Sequence, residues 1–312
     1  MRKVLKIVGI VLLIIIILFV LLLVKLKIES NKPMVEDNYW EKVQTSGEIE
    51  TKYMCLGEYA VKSIKFDITG ERWTNYTIWY PEEMETSNKT FPLIVMANGT
   101  GVQNFKYEPV FEHLSSWGFI VIGNDDPSSG LGDSSSKSLD YILELNNSTD
   151  SIFYNRIDVS NIGIAGHSQG GVGTIHALYG FDNSNLYKVA YTASATTETM
   201  IKSWKLTDFE HDISKINVPI LMVAGVGETD GNTISPLADM KKNLDNTNGP
   251  TIIARRKNAD HGDMLYVATG YMVAWFRYNL MNDEYAGKAF VGEDAEILNN
   301  ENWQDGQGKL LN

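Results

Sequence analysis

A mostly parallel, doubly wound α/β sheet opened by an antiparallel hairpin is the fold class this sequence predicts. Three observations point to it. Five short, continuous apolar runs, at residues 93–97, 119–122, 162–165, 189–191 and 220–224, have the texture of strands buried on both faces. Helix-like patterns lie between or after them, at 107–117, 136–145, 171–180, 236–244 and 265–281. Strand and helix alternating in this way favour crossover connections within a parallel sheet. Ahead of these runs, residues 59–67 and 75–80 alternate apolar and polar side chains at period two, as an antiparallel pair with one wet face does.

The chain opens with Met1-Arg2-Lys3 and then runs through eighteen uninterrupted apolar residues, 7–24. A helix of that length is about 27 Å long, close to the ~30 Å hydrocarbon core of a bilayer. Lys25 and Lys27 follow, with no small-residue cleavage site. Residues 1–27 are therefore expected to be an uncleaved transmembrane signal-anchor rather than a removed signal. Arg2, Lys3 and Lys6 precede the span, and the positive-inside bias then leaves the rest of the chain outside the cytoplasm. The expected organisation is this single-pass anchor in the cell membrane, a polar stalk at 28–50, and one extracytoplasmic α/β domain at 51–312.

The whole chain carries a formal charge of −12. Five basic residues and no acidic one lie in 1–27, which leaves 22 basic against 39 acidic groups and a charge of −17 on the remainder. Such a surface repels nucleic acid and anionic lipid, so nucleic acid is excluded as a partner and the membrane is expected to be met only through the N-terminal helix. Cys55 is the only cysteine, so no intrachain disulfide can form, and a lone thiol reads as a buried small apolar side chain. Metal-ligand cysteine–histidine spacing is absent. The acidic, serine-rich segment 124–136 lacks the spacing of an EF-hand and reads as a mobile loop near a cleft. Neither a metal nor a cofactor is expected.

The most informative motif is Gly166-His167-Ser168-Gln169-Gly170, placed between a buried strand pattern and a helix pattern. It has the G-x-S-x-G spacing of a nucleophile elbow, in which the serine sits at a strained strand-to-helix turn. Residues two before and two after must be small because backbone packs on backbone there. The following helix aims free N–H groups and its positive dipole end at an anion forming beside Ser168.

A serine hydroxyl needs a base, and the chain order on such an elbow is nucleophile, acid, histidine. Of five histidines, His113 precedes the elbow, His167 is its variable position, His176 lies down the next helix and His211 precedes the last apolar strand. Only His261 follows that strand, so it is the expected base. The acid is expected in the loop 225–236, whose carboxylates are Glu228 and Asp230. Asp230 precedes a glycine, where a tight turn can aim it at His261, and it is preferred, with Glu228 the alternative. Two N–H donors for an oxyanion are expected, each worth roughly 3–4 kcal/mol. One is the backbone of Gln169; the other is that of Thr100 in the glycine-flanked loop 97–101.

With these residues in place the chain resembles the α/β-hydrolase superfamily, and within it the cutinase-like polyester hydrolases, including poly(ethylene terephthalate) hydrolases. The resemblance runs from about residue 57 to 286. It rests on the elbow run from Ile157 to Gly171, on Tyr59-Ala60-Val61-Lys62-Ser63, on Ser116-Trp117-Gly118-Phe119-Ile120-Val121, on Leu139-Asp140-Tyr141-Ile142, on Val218-Pro219-Ile220-Leu221-Met222 and on Val273-Ala274-Trp275-Phe276. It implies an α/β-hydrolase fold with Ser168 as nucleophile, His261 as base, N–H donors at Thr100 and Gln169, and hydrolysis of small-molecule or polymeric carboxylic esters. Two departures stand out. The position four before Pro236, usually the acid, is Asn232, and the loop after the next strand offers Thr196 and Thr197 where polyester-degrading members carry a stacking tryptophan. An acyltransferase using a cell-envelope acceptor, and a silent surface-binding protein on the same scaffold, are the competing expectations.

Overall fold

The computed structural model describes residues 2–310, with side chains from residue 15 onward. It divides into two units, residues 1–34 and Val35–Asn312. The first contains helix α1 (Arg2–Ser30). Among the described residues no helix is long and apolar enough to cross a membrane. Residues 7–14 of the apolar run on which the signal-anchor expectation stands lie outside the described side chains.

In the second unit nine strands, counted among the described residues, form one sheet in the order β1-β2-β4-β3-β5-β6-β7-β8-β9. The alternating segments at its start form β1 (Val61–Asp67) and β2 (Asn75–Pro81), paired antiparallel with Ile64 opposite Ile78. The five apolar runs became β3 (Phe91–Ala97), β4 (Ile120–Asn124), β5 (Ile157–His167), β6 (Tyr187–Ala193) and β7 (Ile220–Gly225). These five are parallel to one another, as expected, and β2 joins β4 antiparallel. Two strands were not foreseen. β8 (Thr251–Arg256) extends the parallel set, and β9 (Trp303–Lys309) closes it antiparallel. The sequence of β9, Trp303-Gln304-Asp305-Gly306-Gln307-Gly308-Lys309, has little apolar content, so ladder hydrogen bonds hold this edge where burial does not.

Side chains alternate across the sheet, which explains the continuous apolar runs. Ile94, Val121, Ala165 and Leu221 pack on α2 (Glu48–Met54), α3 (Glu108–Ser116) and, later in the chain, α8 (Thr269–Met281), with Phe111, Trp275 and Phe276 fully buried. Leu93, Val95, Ile122, Ile164 and Met222 face the opposite way. They meet α4 (Asp133–Asn147), α5 (Gln169–Ala177) and, after the short α6 (Glu198–Ser203), α7 (Leu237–Asn246) through Leu139, Ile142, Ile175 and Met240.

Residues 28–50 were expected to be a stalk; from Val35 on they belong to the folded unit instead. Val35, Tyr39 and Ile49 are buried, and the fully buried Glu50 accepts hydrogen bonds from Trp303 Nε1 and Asn300 Nδ2, both at 2.8 Å. His113 Nε2 lies 3.0 Å from the Tyr53 carbonyl and 3.1 Å from that of Cys55, so Nε2 carries the proton and Nδ1 accepts from the Tyr39 hydroxyl at 2.7 Å. Side chains far away in sequence satisfy this segment's polar groups, and its own composition gives no sign of that. Cys55, expected to be buried, is exposed: it follows the last residue of α2, and its carbonyl, rather than its thiol, meets the domain through Trp117 Nε1 at 2.9 Å.

Candidate active site

Ser168 stands between the last residue of β5 and the first of α5, at φ 58° and ψ −124°. A non-glycine residue there costs about 1–3 kcal/mol and persists only where its surroundings enforce it. They do so through the Ser168 N–H, which donates to the Ala193 carbonyl at 2.9 Å, and the Ser168 carbonyl, which accepts from the Gly171 N–H at 2.9 Å. The flanking glycines are steric necessities. A Cβ on Gly166 would lie 2.1 Å from the Gly170 carbonyl oxygen, and one on Gly170 would lie 2.2 Å from that of Ala97.

His261 lies in the loop after β8 and Asp230 in the loop after β7, so adjacent parallel strands deliver both to the carboxyl edge of the sheet. The His261 Nε2 is 3.0 Å from Ser168 Oγ, and its Nδ1 is 2.8 Å from Asp230 Oδ1. Asp230 is fully buried. Its Oδ2 accepts from the Gly225 N–H at 2.8 Å and from the Ser194 hydroxyl. Glu228 is exposed, and Asn232 lies in the widened helical turn Asp230–Ile234. Of the two carboxylates weighed from the sequence, Asp230 is therefore the one brought to His261.

A further carboxylate, Asp260, fixes both loops. It accepts from the N–H groups of Asp230 at 2.9 Å, His261 at 2.8 Å and Thr229 at 3.2 Å. Burial pushes its pKa up, but these N–H donors outweigh that and hold it at about 2.

The loop 97–101 abuts the elbow: a Cβ on Gly99 would lie 3.5 Å from the Ser168 Cβ. Among the described residues the Thr100 N–H donates to no protein group. Gln169, as the first residue of α5, has an N–H without an intrahelical acceptor. Buried Asn98 secures the loop, donating through Nδ2 to the carbonyls of Asn124 at 2.7 Å and Asp126 at 3.1 Å and accepting from the Tyr107 hydroxyl at 2.6 Å.

The segment 124–136, expected to be mobile, is instead held in place. Arg72 donates to Asp126 Oδ2 at 2.9 Å and to both oxygens of Asp133 at 2.7 and 2.8 Å. Asp125 accepts from the N–H groups of Thr74 and Asn75. Charge pairing with Arg72, 61 residues before Asp133, was not visible locally.

Sequence reasoning missed Ser194, Asp260 and the contact of His167 with the His261 loop. Asp260 had a signal, adjacency to His261 in Asn258-Ala259-Asp260-His261; Ser194 had none. In the loop after β6, Thr196 and Thr197 are buried and present no aromatic face.

The hydroxyl–imidazole–carboxylate chain can take the proton from Ser168 and stabilise the imidazolium that results. The chain is 29% identical to a bis(hydroxyethyl) terephthalate hydrolase of Streptomyces coelicolor over 167 residues, 52% of this chain and 46% of that protein. It is 30% identical to cutinase est1 of Thermobifida alba over 168 residues, 52% of this chain and 48% of the relative. Against cutinase est2 of Thermobifida alba the identity is 35% over 105 residues, 32% of each. These matches span half or less of the curated relatives' length. A model of the family described as PET hydrolase-like covers far more, residues 51–304, which takes in strands β1 to β8 together with Ser168, Asp230 and His261. With the elbow, the parallel sheet and a match of that extent, the chain belongs to the PET hydrolase-like family of α/β-hydrolases.

Proposed function

We propose that this protein is a serine hydrolase of carboxylic esters, acting through an acyl-enzyme on a small-molecule or polymeric substrate. The observation that carries the reading is the continuous chain from Ser168 Oγ to His261 Nε2 at 3.0 Å and from His261 Nδ1 to Asp230 at 2.8 Å. The relatives' printed names, a terephthalate-ester hydrolase and cutinases, support an ester as substrate.

In the proposed cycle His261 removes the proton as Ser168 Oγ attacks the ester carbonyl carbon. The N–H groups of Gln169 and Thr100 hold the oxyanion. The C–O bond to the alcohol breaks, and the alcohol leaves with the proton from His261. Water, deprotonated by His261, then attacks the acyl carbon and releases the acid, returning the proton to Ser168. Asp230 keeps the imidazole in the tautomer with its proton on Nδ1. We also propose that residues 1–27 anchor the domain to the cell membrane with residues 28–312 outside, a reading supported by the apolar run 7–24 and the basic residues before it.

Replacing Ser168 by alanine tests the activity. Hydrolysis of p-nitrophenyl acetate is expected to fall by about 10^5-fold or more, with covalent labelling by a fluorophosphonate abolished. Undiminished turnover in that variant overturns the reading. Carbonate extraction of membranes tests the anchor, since release of the full chain into the soluble fraction contradicts it.

A further inference from the structure

We propose that His167, the variable residue of the elbow, is a positioning residue for the base: its Nε2–H holds the backbone carbonyl of His261 and so sets the reach of the imidazole to Ser168. The proposal rests on the reading of Ser168, His261 and Asp230 as the hydrolytic machinery.

His167 Nε2 lies 2.8 Å from the His261 carbonyl oxygen. The ring is 8% exposed and stands against the His261 ring at 4.8 Å between centroids, tilted by 38°. On its far side, a Cβ placed on Gly99 would be 3.4 Å from His167 Nδ1. The ring is thus wedged between the loop that carries the base and the loop that carries Thr100.

The backbone of His261 is then gripped at both ends. Its N–H donates to Asp260 Oδ1 at 2.8 Å, and its C=O accepts from His167. The next residue, Gly262, is exposed, and a Cβ placed on it would meet nothing within 4 Å. The loop is next held at Asp263, whose N–H donates to the Asp260 carbonyl at 2.9 Å, so at His261 itself the carbonyl contact is the hold nearest the imidazole on that side. Burial, then the neighbouring His261, push the His167 pKa down to about 4. The ring is therefore neutral near pH 7 with a single proton, and the carbonyl acceptor places that proton on Nε2. Because the elbow fixes His167 next to Ser168 in the chain, the same rigid turn holds the nucleophile and the brace of its base.

The experiment compares three variants of the full chain on p-nitrophenyl acetate. A glutamine at 167 can place its amide N–H near the position of Nε2, whereas asparagine is too short and leucine has no donor. We expect His167→Leu and His167→Asn to lose about 10- to 100-fold in kcat with KM within about twofold of wild type, and His167→Gln to stay within about threefold. The low-field proton resonance of the His261 Nδ1–H shared with Asp230 should remain sharp in the glutamine variant and broaden in the other two. Should the leucine variant fail to fold, the asparagine variant carries the comparison. Wild-type kcat in the asparagine variant, or equal loss in the glutamine and asparagine variants, overturns the proposal. Failure of the underlying reading would show separately, as full turnover in Ser168→Ala.

Discussion

Asp230 and His261 meet at 2.8 Å, Oδ1 to Nδ1, although 31 residues separate them in the chain. They belong to loops that leave adjacent parallel strands, β7 and β8. The backbones of those loops are joined as well, since the Gly227 N–H donates to the Ala259 carbonyl at 2.9 Å. With Oδ2 held by Gly225 and Ser194, both oxygens of this buried carboxylate are hydrogen-bonded, as a buried polar group requires.

The first prediction separates the two carboxylates of the acid loop. Asp230→Asn keeps the shape but favours the wrong imidazole tautomer, so kcat should fall by about 10^4-fold. Glu228→Gln alters only an exposed side chain and should leave kcat unchanged. The opposite pattern in a steady-state assay would transfer the acid role to Glu228.

Ser194→Ala removes the hydroxyl that donates to Asp230 Oδ2 and leaves the Gly225 N–H as the sole partner of that oxygen. A hydrogen bond to a charged acceptor is strong, so kcat should fall about tenfold. An unchanged kcat and pH–rate profile would show that Ser194 only fills space.

Acid should destabilise the fold through its buried histidines. Burial pushes the pKa values of His113 and His167 down from 6.5 to about 4. The unfolded chain therefore takes up protons below pH 6.5 that the folded chain refuses. The stability from these two groups is fully present above that pH and is lost as pH falls toward 4. Asp260, held at about 2 against 3.8, adds a further loss below pH 3.8. The thermal midpoint should drop by at least about 5 °C between pH 7 and 4.5; a flat or rising midpoint across that window contradicts the assignment.

Arg72→Met strands Asp126, which is fully buried, without its cation. Breaking a buried pair costs about 3–5 kcal/mol, but Arg72 is 43% exposed, which reduces the expected loss to about 2 kcal/mol. Urea unfolding measures it. An unchanged midpoint would mean that the bonds to Thr74, Asn75 and Asn98 hold the segment 124–136 without Arg72.

How legible each feature was depended on how local its cause is. The elbow could be read because strain, small neighbours and a following helix are all properties of one short stretch. β3 to β7 could be read because burial on both faces demands continuous apolar runs. β9 could not, since an edge strand is held by its ladder and shows no such run. The segment from Val35 to Glu50 looked like a stalk because many of its polar groups find partners far along the chain, among them His113, Glu296, Asn300 and Trp303.

The sequence by itself determined the parallel sheet, Ser168 at its bend and His261 as the histidine placed after the last apolar strand. Each follows from residue type and order, which short-range sterics and hydrophobic burial read directly. Only the tertiary structure brought Asp230 rather than Glu228 to His261, joined Ser194 and Asp260 to them, and set His167 against the His261 carbonyl. Those are hydrogen bonds between loops from different strands, whose geometry exists only once the sheet has fixed the strand spacing and register.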